Sequence, residues 1–167
     1  MEQLSDAFII IDLQNGVCHA EGKQIDHLEE LVVAVNKRIA FYHTAELPII
    51  FVQHQDATLR KNSFDWEILS GIQIGMKSHF VNKTHANSFY QTDLSRILTK
   101  NNVKSLEICG AQTEYCIDAT IKFAHGMGYD LRMQKNMSTT YDNEFMTATQ
   151  TITFYEKIWD GRFLTFI

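Results

Sequence analysis

Five consecutive apolar residues, Ala7-Phe8-Ile9-Ile10-Ile11, run directly into a carboxylate, Asp12. An unbroken apolar run of this length, with no polar alternation, reads as a strand buried on both faces. Such strands belong to parallel sheets covered by helices on each side. Ile49-Ile50-Phe51-Val52 repeats the pattern just after Pro48, and Leu106, Ile108 and Cys109 give a third example. Between the first two runs, Leu28, Leu31, Val32, Val35, Ile39 and Tyr42 form one helical stripe. Asp26, with Glu29 three residues on, predicts a capping box opening a helix to Thr44.

The same alternation continues downstream. A short strand is expected over 78–82, and a helix opened by Thr92-Asp93 runs to Lys100. Cys116, Ala119, Thr120, Phe123, Ala124 and Met127 recur at helical spacing and end at Gly126 and Gly128. Residues 129–133 predict a strand and 136–141 a polar loop. Asp142 predicts the cap of a helix to Tyr155 that carries Phe145 on its apolar face, and 159–166 a final edge segment. Residues 57–75 read as a long ordered loop, suited to a lid or an assembly contact. Alternating strands and helices predict a three-layer α/β fold with a mostly parallel central sheet and right-handed crossovers.

The 167 residues fit one domain, 1–167, and 45% apolar content with a single proline fits an ordered chain. A net charge of −5, without basic runs, argues against nucleic-acid or anionic-membrane partners. Three cysteines cannot form a complete disulfide set, which points to a reducing compartment. The acidic amino terminus has no basic start before its apolar run, so neither a signal peptide nor a membrane span is expected. The expected location is the cytoplasm.

Three predicted strands end in chemistry: Asp12, Lys83 and Cys116. In a parallel sheet those ends share one edge, where open α/β sheets bind ligands. A carboxylate, an ammonium and a thiol form a complete set for nucleophilic catalysis. Cys116 falls in the first turn of its helix, where the helix dipole favours a thiolate and is expected to lower the thiol pKa. Cys109 reads as core, and Cys18 as a loop residue open to exposure.

Phe8-Ile9-Ile10-Ile11-Asp12-Leu13-Gln14-Asn15 resembles the opening motif of the isochorismatase-like cysteine hydrolases. Lys83 with Ser88-Phe89, and Gly110-Ala111-Gln112-Thr113-Glu114-Tyr115-Cys116, resemble their lysine and nucleophile motifs. The resemblance runs from Ala7 to Asp142. It implies a Rossmann-like sheet, an Asp12-Lys83-Cys116 triad, a cis peptide between Ala111 and Gln112, and a homo-oligomer. Ala111, Gln112, Gln14, His54 and Tyr115 are the accompanying candidates for oxyanion and substrate binding. Nicotinamidases of this superfamily carry a metal on an Asp-x-His motif with further histidines. Here His54-Gln55-Asp56 runs in the reverse order, so neither a metal nor another cofactor is expected. Isochorismate-cleaving members lack the nucleophilic cysteine, so Cys116 favours hydrolysis of an amide or related C–N bond in a small molecule. The alternatives are a catalytically silent binding or assembly protein and a thiol redox protein. The latter lacks a Cys-x-x-Cys pair.

Overall fold

The computed structural model describes residues 3–167. The strands are β1 (Ala7–Ile11), β2 (Ile49–His54), β3 (His79–Lys83), β4 (Ser105–Ala111), β5 (Asp130–Met133), β6 (Ser138–Thr139) and β7 (Thr165–Phe166). They form one sheet in the order β3-β2-β1-β4-β5-β7, with β6 beside the end of β4. Every pairing is parallel. β1 lies at the centre with all five residues buried, as its unbroken apolar run predicts. The helices are α1 (Asn15–Cys18), α2 (Leu28–Thr44), α3 (Leu94–Lys100), α4 (Asp118–Gly126) and α5 (Ala148–Trp159). The chain steps from β1 to β2 in one direction and from β4 to β5 in the other. Right-handed crossovers therefore put α2 and α4 on opposite faces and complete the three layers. The order reverses between β1 and β4, and the carboxyl ends of strands at such a switch point are where open α/β sheets bind ligands.

Several local expectations give way to tertiary context. α2 begins at Leu28 after His27 turns the chain through a left-handed conformation (φ 38°), and no side chain caps it. The Asp26 carboxylate lies instead 2.9 Å from His27 Nδ1. α5 begins five residues later than Asp142 suggested. Thr147 and Gln150 form its capping box, while Asp142 Oδ1 accepts the Ala148 amide at 2.7 Å from across the loop. Phe145 therefore sits ahead of the helix, 82% exposed, not on an apolar helical face. The carboxyl-terminal edge strand is reduced to Thr165–Phe166, because Trp159 still belongs to α5.

The sheet also buries an ion pair. Arg38 on α2 and Glu107 on β4 are both wholly excluded from solvent. Arg38 Nε donates to Glu107 Oε1 at 2.7 Å and Arg38 Nη2 donates to Oε2. Tyr42 Oη donates to the same Oε2 at 2.8 Å and accepts the Ser5 amide at 2.9 Å. This network ties α2 to the middle of the sheet. Among the described residues, no helix is long and apolar enough to cross a membrane.

Candidate active site

Asp12 leaves β1 with φ 52°, a left-handed conformation that aspartate tolerates better than most residues, and its amide donates to Val52 O at 2.9 Å. On the adjacent β4, Gly110 has φ 128°, and a Cβ there would lie 2.0 Å from the Ile11 carbonyl oxygen. Only glycine lets β4 approach β1 this closely, one residue before Asp12. The peptide between Ala111 and Gln112 is cis, as the resemblance implied. Beyond it the chain makes a single π-helical turn, Thr113–Ile117, before α4. Cys116 therefore sits in a wide turn ahead of the regular helix. The Gln112 carbonyl accepts from the amides on either side of it, Tyr115 at 3.1 Å and Ile117 at 3.2 Å. Such turns recur at functional sites.

The three strand-end side chains meet. Lys83 Nζ lies 2.8 Å from Asp12 Oδ2 and donates to Cys116 Sγ at 3.1 Å. Lys83 is 1% exposed and Asp12 2%. Asp12 Oδ1 is buried without a hydrogen-bond partner among the described residues, which leaves an acceptor available for a proton. The expectation of a lowered thiol pKa is overturned. Burial first, and the Asp12 carboxylate second, push the Cys116 thiol up to about 12, against the opposing pull of Lys83. A thiolate here would lose its hydration beside a second anion. Cys116 thus rests as the thiol. Cys18 and Cys109 are wholly buried with raised pKa values, so the option of an exposed Cys18 is closed.

The accompanying candidates divide. His54 ends β2, opposite Lys83 in the parallel register, and its Nδ1 lies 3.2 Å from Lys83 Nζ. Gln14, expected to touch substrate, is wholly buried and bound to backbone instead. Its Nε2 donates to His54 O at 2.9 Å and Trp66 O at 2.8 Å, and its Oε1 accepts the His54 amide at 2.8 Å. Gln14 therefore clamps the end of β2 and the 57–75 loop to the start of α1. Asn15 adds a bond from Nδ2 to Phe64 O at 2.9 Å. The backbone of this loop straps the site edge, while the Phe64 ring points outward, 73% exposed. Ala111 is buried in the β4–β6 pairing and contributes only its peptide. Tyr115 carries an exposed ring, and Gln112 Oε1 accepts a long 3.4 Å bond from Thr140 Oγ1.

Two further residues border the site, neither singled out from sequence as a site residue: Thr140 in the polar loop and Asp56 in the His54-Gln55-Asp56 run. Thr140 Oγ1 also donates to Glu114 Oε1 at 2.9 Å, tying the π-helical turn to the loop after β6. Thr140, with Lys23, Asp26, Tyr141 and Asp142, lines a cavity of about 470 Å³ beside that turn; none of Asp12, Lys83 and Cys116 lines it. Asp56 is the other. Its Oδ1 accepts from Thr58 N, Thr58 Oγ1 and Leu59 N within 2.8 Å, and its Oδ2 faces His54 Nε2 at 3.4 Å. The Asp-x-Thr spacing is a turn signature visible in sequence, but its facing partner is not.

A family model described as the isochorismatase domain matches residues 6–153. The chain belongs to the isochorismatase family. The crystal structure of an isochorismatase family protein superposes with a TM-score of 0.94 at 43% identity, covering 96% of each chain. The isochorismatase family protein YddQ of Bacillus subtilis (strain 168) is 26% identical over 142 residues, which is 82% of this chain and 79% of that one. N-carbamoylsarcosine amidase from Thermoplasma acidophilum shares the fold, with a TM-score of 0.79 at 16% identity over 96% of this chain and 94% of its own. As a member of this family, the protein is a hydrolase.

Proposed function

We propose that this isochorismatase-family hydrolase cleaves the C–N bond of a small amide or ureido compound through a thioester on Cys116. The observation that carries the reading is the buried ammonium of Lys83, placed at 2.8 Å from Asp12 and 3.1 Å from Cys116. Because Cys116 rests as a thiol, its proton must leave as the sulfur attacks. Asp12 accepts that proton while the S–C bond forms, and Lys83 stabilises the anions on both sides of the transfer. The oxyanion develops near the Gln112 and Cys116 amides, and a donor of this kind is worth about 2.7–4 kcal/mol of barrier. Asp12 then returns the proton to the leaving nitrogen as the C–N bond breaks. An amine is a poor leaving group until protonated, so a carboxylic acid beside the acyl carbon suits C–N cleavage. Water next loses a proton to Asp12 and attacks the thioester carbonyl. The C–S bond breaks and the sulfur regains its proton, releasing the acid. That N-carbamoylsarcosine amidase shares the fold supports C–N chemistry at the level of analogy.

A mass-spectrometric screen of an amide and ureide library, comparing wild type with Cys116→Ala, tests the reading. Wild type should turn over at least one compound and show an acyl adduct on Cys116 after rapid quenching. Full turnover by Cys116→Ala, with no adduct on wild type, would sink the covalent mechanism.

A further inference from the structure

We propose that His54 is a positioning residue for Lys83, held in one tautomer by Asp56 and in one place by Gln14. The proposal rests on the reading of Cys116 as a nucleophile. An ammonium has three donors and no acceptor. Among the described residues, Lys83 Nζ has three hydrogen-bond or ion-pair neighbours: Asp12 Oδ2 at 2.8 Å, Cys116 Sγ at 3.1 Å and His54 Nδ1 at 3.2 Å. Each takes one N–H. His54 Nδ1 must then be the unprotonated nitrogen, which leaves the ring proton on Nε2, facing Asp56 Oδ2 at 3.4 Å. Asp56 cannot turn away, because three hydrogen bonds from Thr58 and Leu59 fix its other oxygen. The His54 backbone is equally fixed, since Gln14 bonds both its amide and its carbonyl.

The ring therefore does for Lys83 what water would do less directionally. It engages the third N–H and aims the other two at the carboxylate and the sulfur. Its protonation would end this. The imidazolium has no acceptor at Nδ1 and sets a second cation 3.2 Å from the ammonium. The groups facing His54 are Lys83 from β3, Asp12 from the end of β1, and Asp56 from the loop that follows β2. Burial and the Lys83 charge hold the His54 pKa below the ordinary 6.5, against the pull of the two carboxylates. The neutral ring is thus secured at physiological pH, and loss of alignment is confined to the acid side.

Alkylation of Cys116 by iodoacetamide, followed by intact mass and peptide mapping across pH, tests this without a known substrate. Wild type should show a rate that falls with a distinct downward break below pH 6.5. His54→Leu, which removes the acceptor, should react at least tenfold more slowly at neutral pH. His54→Asn places an oxygen near the Nδ1 position but does not titrate. It should recover most of the rate lost in His54→Leu and lack the acid break. A merely structural role for His54 would not move the break while retaining rate. Persistence of the wild-type break in His54→Asn, or wild-type reactivity in His54→Leu, overturns the proposal alone. A wild-type Cys116 that resists alkylation at every pH overturns it together with the nucleophile reading.

Discussion

Replacing Asp12 with asparagine should make Cys116 more ionised and the enzyme inactive at the same time. The thiol stands at about 12 against an ordinary 9.0. At about 1.36 kcal/mol per unit, that displacement is roughly 4 kcal/mol against ionisation. Burial is its largest cause and persists in the variant, since asparagine fills the same space. The carboxylate is the next cause and disappears. A neighbouring like charge typically shifts a buried group by about 1–3 units. Lys83 already pulls the other way, and in the variant its charge is no longer shared with a carboxylate. Asp12→Asn should therefore lower the Cys116 pKa by about one to two units, raising the thiolate fraction at pH 8 by about 10–100-fold. Thiolate absorbance at 240 nm, titrated against a Cys116→Ala blank, reads this directly. Turnover should be lost nonetheless, because the asparagine amide can neither take the thiol proton nor hand it to a leaving amine. A Cys116 pKa in Asp12→Asn equal to or above that of wild type would refute the electrostatic account. Undiminished turnover in that variant would refute Asp12 as the proton carrier.

Removing Arg38 takes the guanidinium from the buried Glu107 carboxylate. Arg38→Met should cost about 3–5 kcal/mol, or roughly 6–20 °C in Tm for a domain of this size, while the double variant Arg38→Met/Glu107→Leu recovers most of the loss in a thermal melt. Gly110→Ala forces a Cβ onto the Ile11 carbonyl at a positive φ and should cost at least about 3 kcal/mol, with slower alkylation of Cys116 because Asp12 follows Ile11. Phe64 and Met76, 73% and 100% exposed on the long loop, motivate a homo-oligomer. Light scattering should give a mass above the 19.3 kDa monomer that falls towards it in Phe64→Ser/Met76→Ser; a monomeric wild type at all practical concentrations would count against the assembly.

β1, β2 and β4 were legible because burial on both faces leaves an unmistakable apolar run, and the convergence of Asp12, Lys83 and Cys116 followed from the single fact that parallel strands share a carboxyl edge. Features that depend on which of two local signals wins, or on a partner far along the chain, were not legible. Asp142 and Thr147 are both competent caps, and the sequence cannot say that Thr147 takes the cap while Asp142 binds the same first turn from six residues away. Arg38 and Glu107, 69 residues apart, carry no local signal of their pairing, which exists only once the fold buries them against each other. The thiol pKa shows the limit most sharply. The amino terminus of an isolated helix favours a thiolate, yet Cys116 precedes the regular helix in a π-helical turn and lies buried beside a carboxylate. Burial and a like charge in low dielectric outweigh the 0.3–1 kcal/mol or so that a terminus typically provides. In the proposed mechanism the thiol is therefore activated only as it reacts, which makes Asp12, and not the helix, the group on which that mechanism depends.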